Sequence, residues 1–397
     1  MRQLELAEVA EEHASWGLPT AFTPWVPPHL SVRRIILARG SVATPARNAF
    51  VRRVCSAFVG VPVEEHLDTV HNRIDLGERD PWRLYGLGKQ TLVFGELKNA
   101  VRFSDEQANT CPNYWHFSVY GSCPYRCAYC YLAGTQGVWF SPTVKIYVNL
   151  PEILGQIDRV ANQLGAPAAF YHGKLQDGLA LDPLTAYSTT LVPFFASHPF
   201  ARQTVLTKSA SAEHLLNLQH RGHTTLSWSL NPPEIARKYE HNAPAVEDRI
   251  RAMQTCADAG YSVRAIIMPF IPEAGWETAY TEFVADLLAR VPLQRLTLGG
   301  ICSYSQASFL MQKQVGALNA ISANMQQNKS PDGRRRYPAA LRVQFYRRVI
   351  EAVRDVRPDL TVSLCMEEPA VWQGLRESLV LRNIQLNLQQ GRCNCVL

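Results

Sequence analysis

Residues 115–130 read WHFSVYGSCPYRCAYC, and this stretch decides both the fold and the chemistry of the chain. Its first six residues are aromatic and apolar in a strand-like pattern. The strand runs into Cys123, Cys127 and Cys130, spaced C-x3-C-x2-C. Three thiolates within eight residues can all turn toward one centre. Soft thiolates select zinc or iron–sulfur clusters. A structural zinc site wants four ligands, usually as two C-x2-C pairs. Here no fourth cysteine sits nearby at that spacing. Three ligands on a four-iron cluster leave one iron open for a substrate or cofactor.

Downstream, short apolar runs alternate with helical patterns. AAFYH, TVLTK, TTLSWSL, YSVRAIIMPF, LQRLTLGGI and LTVSLCM read as strands. With WHFSVY they make about seven. Between them lie helical patterns at Leu150–Leu164, with Asn149 as cap and Pro151 in the first turn, at Asp182–Ser197 and at SAEHLLNLQ. Further patterns cover Ala245–Ala259, Trp276–Arg290 and about Pro338–Val356. Alternating βα units imply a parallel sheet covered by helices. The expected fold is α/β, a partial (βα)6-type barrel over residues 111–375, with functional residues at the C-terminal ends of its strands. Residues 1–110, with strands at SVRRIILA and TLVFGE, read as a smaller N-terminal module, and 376–397 as a tail.

Composition fits this reading. The chain has 397 residues, 47% hydrophobic and 19% charged, enough for a large core and unlike a disordered chain. Forty basic residues against thirty-four acidic ones give +6, a balance that permits phosphate contact without proving it. No run approaches the length of a membrane span. The N-terminal MRQLELAEVAEEHASWG is acidic and amphipathic and lacks the apolar core of a signal peptide. The expected setting is the cytoplasm, where thiols stay reduced, so clustered cysteines call for a metal rather than disulfides.

The cysteine loop, with Tyr129 before its third cysteine, resembles the radical S-adenosylmethionine (SAM) superfamily. More narrowly, the chain resembles the spore photoproduct lyase family. The matching strings, in order, are Cys127-Ala-Tyr-Cys-Tyr-Leu132, Ile146-Tyr-Val-Asn-Leu150, Thr207-Lys208-Ser209, Ser227-Trp-Ser-Leu-Asn-Pro232, Ala259-Gly-Tyr261, and Cys365-Met-Glu367 ahead of Trp372. The likeness spans about residues 20–375 and is looser before 90. The loop is specific for the superfamily; the other strings point to the family only as an ordered set.

The resemblance implies a [4Fe–4S] cluster on Cys123, Cys127 and Cys130, SAM on the open iron, and a 5′-deoxyadenosyl radical. In the family that radical opens a thymine–thymine photoproduct in DNA, a lesion that must be swung out of the duplex. Lys208, at a strand end, is placed for SAM's carboxylate, or is a solvated strand-end lysine. Ser229 and Asn231 could bond SAM, or form a turn before Pro232. Arg264 could reach the site or pair within the core. Tyr129 and Tyr131 could pack on adenine or relay a hydrogen atom, or simply cover the cluster. The family carries a hydrogen-returning cysteine in the region that here reads Tyr171-His-Gly-Lys174-Leu-Gln-Asp177. Tyr171 or His172 stands in its place. Lys174 has the wrong charge for SAM's ammonium group, and Asp177 could compensate. Cys302 and Cys365, near strand ends, are alternative hydrogen donors or buried core residues.

Arg334, Arg335 and Arg336 follow a turn and could press on a phosphate backbone, with Arg347, Arg348, Arg52 and Arg53 as further basic pairs, or they form solvated surface. A reductant such as flavodoxin or ferredoxin is implied. Cys393 and Cys395 could join a second metal site, but fit better as part of a mobile tail. Two other functions compete with repair. One is radical SAM tailoring of a peptide, nucleoside or other metabolite, favoured by the missing cysteine. The other is a non-catalytic metal-bearing nucleic-acid-binding protein.

Overall fold

A computed structural model describes residues 16–104, 109–381 and 393–397. The expected N-terminal amphipathic helix, except its last two residues, and residues 382–392 of the expected tail lie outside the described residues. In chain order the strands are β1 (Arg34–Ala38), β2 (Val63–His66), β3 (Thr91–Gly95), β4 (Val101–Ser104), β5 (Tyr114–Phe117), β6 (Tyr120–Gly121), β7 (Arg126–Cys127), β8 (Val144–Tyr147), β9 (Ala168–His172), β10 (Ala201–Thr207), β11 (Thr224–Ser229), β12 (Glu240–His241), β13 (Ser262–Ile267), β14 (Arg295–Leu298) and β15 (Thr361–Leu364).

The larger sheet has the order β15-β14-β13-β11-β10-β9-β5-β4. The strands from β15 to β5 are parallel, and β4 lies antiparallel on the β5 edge. These seven parallel strands are the seven read from the apolar runs, and the open sheet with its helices is a partial βα barrel. One face of each strand packs on the helices. Val205, Leu226, Trp228, Val263, Ala265, Ile267, Leu296, Leu298, Val362 and Leu364 share one core with residues of the helices Val246–Asp258, Trp276–Arg290 and Ala339–Val356. By the two-residue period of a strand, the intervening side chains face the other way, into the barrel. One row across that inner face runs Leu206, Ser227, Arg264, Arg295, Thr361. The inner face is polar, unlike the packed interior of a closed barrel.

The smaller sheet, β2-β1-β3-β8-β6, is parallel from β2 to β8, with β6 antiparallel at its edge. Its membership does not follow the expected division at residue 110. β6 and β8 come from beyond it, and β4 from before it belongs to the barrel sheet. The helix Pro45–Cys55 follows β1. Its first turn has Pro45, and Thr44 Oγ1 accepts from the Arg47 backbone N–H at 3.2 Å, a standard N-terminal cap.

Three local expectations change in detail. Asn149 does stand at the N-cap of the helix Leu150–Leu164, but its side chain does not bond the first turn; its amide accepts from the Leu97 N–H at 2.9 Å and donates to the Leu97 carbonyl at 3.1 Å. The helix itself forms as expected, burying Leu150, Ile153, Leu154, Ile157 and Ala161 and ending at Gly165 with φ +62°. SAEHLLNLQ shows only a 3-10 turn at Glu213–Leu215, with the Leu215 carbonyl accepting from the Tyr261 hydroxyl at 2.9 Å. The Asp182–Ser197 region is two helices, Asp182–Thr185 and Ser188–Ser197, broken at left-handed Ala186.

Candidate cluster and cofactor site

The cysteine loop hangs between the two sheets. Before it, β6 pairs with β8 of the smaller sheet; within it, β7 pairs with β12, so that Cys127 lies opposite Glu240. The turn into the loop is made by Ser122, whose φ of 59° is left-handed. Lys89, buried at the end of the helix Pro81–Lys89, donates to Ser122 Oγ at 3.2 Å and to the Cys123 carbonyl. The Ala128 N–H donates to the Tyr239 carbonyl at 2.7 Å. Cys130 then starts the 3-10 turn Tyr131–Gly134. At Gly134 an added Cβ would come within 2.8 Å of Ala307 backbone nitrogen, so only glycine lets this turn approach the helix Ser305–Val315.

The three loop cysteines form no disulfide and are half-buried as residues. Burial pushes the Cys123 thiol well above its ordinary range and the Cys127 thiol up to about 12. Lys89 opposes the shift at Cys123, and Lys208 and Arg249 oppose it at Cys127. Such thiols stay protonated until a metal deprotonates them. Three soft donors in one short loop, flanked by cations that offset a thiolate-rich centre, fit the [4Fe–4S] cluster expected there.

Glu240 ties this loop to the barrel. Tyr129 OH donates to its Oε1, Asn231 Nδ2 donates to the same oxygen at 3.2 Å, and Arg249 Nη1 lies 2.5 Å from Oε2. Burial alone would raise this carboxyl, yet Arg249, Lys208 and the Tyr129 hydroxyl hold it at about 2. Neither Glu240 nor Arg249 is evident in the sequence, because their pairing is set by the β7–β12 contact.

Lys208 follows β10 and Ser229 ends β11; Lys208 Nζ donates to Ser229 Oγ at 2.8 Å and lies 5.5 Å from the Tyr129 ring centroid. The structure therefore brings together three expected cofactor residues, Lys208, Ser229 and Tyr129, beside Cys127. It directs others elsewhere. Asn231 is fully buried, donates to Glu240 and accepts from Tyr280 OH at 2.7 Å, so its amide is used on both sides. Arg264 donates to Gln294 Oε1 at 2.7 Å and to the Val396 carbonyl at 2.6 Å; it holds the C-terminal segment, not a cofactor or a core carboxylate. Lys174 Nζ bonds Ser104 and lies 4.9 Å over the Tyr114 ring. Asp177 cannot compensate for it. Its oxygens accept from Thr207 Oγ1 and the backbone N–H groups of Lys208, Leu179 and Ala180, which makes it a turn anchor.

The expected hydrogen donors fall in a second group. Tyr131 OH donates to the Lys174 carbonyl at 2.9 Å. Tyr171, on the inner row of β9, meets the Tyr114 ring edge-on at 5.8 Å and shares a buried cluster with Cys393 and Cys395. Burial pushes the Tyr171 hydroxyl well up, Cys395 and Cys365 add to the shift, and a bond to Asn394 opposes it. His172 points to the opposite face, stacked on Phe117 at 4.8 Å, where burial lowers it to about 4. Cys302 faces Arg336, Glu367 and Cys365, and burial pushes its thiol up to about 12.

Cys393 and Cys395 do not belong to a mobile tail. Both are buried, with Sγ atoms 3.2 Å apart, and Cys111 hydrogen-bonds with Cys365 and Cys393. Arg295 donates to the carbonyls of Cys393 at 2.8 Å and Leu397 at 3.1 Å, so two inner-face arginines grip this segment inside the barrel. The charge-poor tail gave no signal for this, because the binding groups are backbone carbonyls. Among the described residues no three His, Cys, Asp or Glu side chains converge on a single metal ion. The expected phosphate arm also changes role: Arg336 is buried and bidentate on Asp332 at 2.8 and 2.5 Å, and Arg334 pairs with the same carboxylate at 3.4 Å. Arg335 bridges its backbone to Ser303. No described helix is long and apolar enough to cross a membrane.

Comparison with known proteins follows the same lines. The family model described as spore photoproduct lyase matches residues 46–299. Spore photoproduct lyase of Clostridium acetobutylicum is 25% identical over 253 residues, covering 64% of this chain and 72% of its own length. That of Bacillus subtilis is 26% identical over 237 residues, covering 59% and 68%. A solved spore photoproduct lyase complexed with dinucleoside spore photoproduct superposes with a TM-score of 0.73 at 21% identity, over 84% of this chain and 98% of that one. A double mutant with bound AdoMet and dinucleoside spore photoproduct gives 0.73 at 22%, over 85% and 98%. At those identities the structures share the fold.

Proposed function

The chain belongs to the spore photoproduct lyase family, and on that premise we propose that it repairs a thymine–thymine photoproduct in DNA as a [4Fe–4S]- and SAM-dependent lyase. The observation that carries the reading is the cysteine loop with the Lys208–Ser229 pair beside it, at the strand ends where a barrel does its chemistry. When bound, the cluster and SAM supply a 5′-deoxyadenosyl radical.

This chain's residues hold and aim that chemistry. Cys123, Cys127 and Cys130 would hold the cluster through their thiolates. Lys208 gives an ammonium to SAM's carboxylate, and its 2.8 Å bond to Ser229 fixes where that ammonium sits. The Tyr129 ring, locked by its hydroxyl on Glu240, forms one wall of this pocket. Lys89 places positive charge behind Cys123. Tyr171, packed with Cys395, and the nearby Cys365, whose thiol bonds Cys111, form the hydrogen-return group in place of the cysteine missing from residues 171–177. A thiol S–H there gives one hydrogen atom to the carbon radical left on the opened base. Tyr171 O–H would then return a hydrogen atom to the sulfur, and the tyrosyl radical left behind would take one back from 5′-deoxyadenosine, so one hydrogen atom moves in each step and no radical is left over.

The test is anaerobic. The reconstituted, reduced protein receives SAM and a synthetic spore-photoproduct dinucleotide, and thymidylyl-thymidine and 5′-deoxyadenosine are followed together by chromatography. Repair of the dinucleotide is the expected result, together with about four iron and four sulfide per chain. Deoxyadenosine without repair would overturn the DNA-repair reading in favour of a tailoring reaction. Replacing Cys123, Cys127 or Cys130 by Ala should abolish SAM cleavage, and full activity in any of the three would sink the cluster assignment.

A further inference from the structure

The smaller sheet has its own crevice. Its parallel strands are ordered β2-β1-β3-β8, so the chain leaving β1 crosses to β2 on one side, while the chain leaving β3 runs away to β4 on the barrel sheet and re-enters on the other side as β8. The loops at the C-terminal ends of β1 and β3 therefore diverge. In open α/β sheets this switch point is where ligands bind. A cavity of about 370 Å3 lies there, lined by Arg39 after β1, His71 and Arg73 after β2, Glu96 and Lys98 after β3, and Arg102.

Its charge is one-sided. Arg39, Arg73, Lys98 and Arg102 are exposed, and none is ion-paired among the described residues. Arg39 and Arg102 each donate to a backbone carbonyl, of Asp68 and Asn99, which leaves further N–H groups toward the cavity. The single carboxylate, Glu96, is taken by Arg47 Nη1 at 3.2 Å from the side of Gly40. His71 adds no negative charge: burial and Lys145 lower its pKa to about 4, leaving a neutral ring against Tyr147 at 4.9 Å. Four cations gathered without counter-charge repel one another unless an anion joins them. Guanidinium forks match the paired oxygens of a phosphate. The cavity also has the size of a small-molecule site rather than of a single ion.

We infer that this crevice is a phosphate-ester site, built by the smaller sheet and separate from the cysteine loop. The phosphate belongs either to a free nucleotide or to a DNA backbone passing over the crevice. The inference does not rest on the barrel chemistry; deoxyadenosine formation in the same preparation reports on that independently.

The test uses the full reconstituted chain and the Arg73→Ala/Lys98→Ala variant. Both residues are exposed, so the variant should keep the wild-type melting temperature and basal SAM cleavage. Calorimetric titration with inorganic phosphate, thymidine 5′-monophosphate and a lesion-free duplex gives the comparison. The variant should bind at least one sugar-phosphate probe about tenfold or more weakly. Loss with mononucleotide and duplex together identifies a site filled by one sugar phosphate. Loss with duplex alone, with a salt slope flatter by about 2, identifies a backbone track. Equal binding of all three probes by variant and wild type overturns the inference.

Discussion

Replacing Glu240 by Gln keeps the size of the side chain and removes its charge. The carboxylate is fully buried and Arg249 almost so, with 0% and 1% side-chain exposure. Its pKa stands at about 2 against an ordinary 4.5, a preference for the anion worth ~3 kcal/mol. The introduced amide can still accept from Tyr129, but it leaves the Arg249 guanidinium buried without an anion, a change that typically costs about 3–5 kcal/mol. The expected loss is therefore about 3–4 kcal/mol in urea unfolding of the apo-protein at pH 7. Because the loop is held through Glu240, iron bound per chain should fall as well. The sign with pH follows from the depressed pKa. The wild-type contribution is complete above about pH 4.5 and is lost as pH falls toward 2, whereas the variant lacks that loss. Adding Arg249→Met should restore more than half of the stability, since the stranded charge goes too. A Glu240→Gln protein within about 0.5 kcal/mol of wild type would refute the claim that this ion pair anchors the loop.

Lys208→Ala should raise the dissociation constant of SAM by about tenfold or more while leaving iron content unchanged, and Ser229→Ala should do so less, which equilibrium binding to the reconstituted protein measures directly. Tyr171→Phe and Cys365→Ala should each increase the deoxyadenosine formed per lesion repaired; a ratio equal to wild type in both would remove them from hydrogen return. Deleting residues 393–397 should destabilise the chain by about 2–4 kcal/mol, because Arg264 and Arg295 lose carbonyl partners in a buried setting. An unchanged unfolding midpoint would show that the segment is not held there in solution.

The barrel was legible because short strand-like runs, each apolar on one face, alternate with helical patterns, and the loop because three cysteines at fixed spacing need no tertiary knowledge. Lys208 and Ser229 were legible for a related reason: they end strands, where a barrel presents its chemistry. What escaped was set by distant partners. Asn231 looked like a turn starter, yet Tyr280 and Glu240 consume its amide. Arg336 sat in a run of three arginines, yet Asp332, four residues earlier, draws it inside. The sequence does not reveal which cation in a run is the buried one. The C-terminal cysteines were unreadable because their grip comes from peptide carbonyls, which every residue carries. Asn149 shows the same limit at small scale: its residue type suits a cap, but the Leu97 backbone offers it two bonds in place of one.

The position of the cysteine loop has one more consequence. Its entry strand β6 is stitched to the smaller sheet and its inner strand β7 to the barrel through β12. The entry to Cys123 is therefore tied to the smaller sheet, and Cys127 to the β7–β12 pair that follows barrel strand β11. A cluster bridging them is a rivet between two sheets that already exchange strands, so its binding energy is shared by both. Iron loading then acts as a global variable: apo- and holo-protein should differ in one cooperative melting transition, not in the local order of a loop. Neither half can be excised as an autonomous folding unit without drawing that rivet.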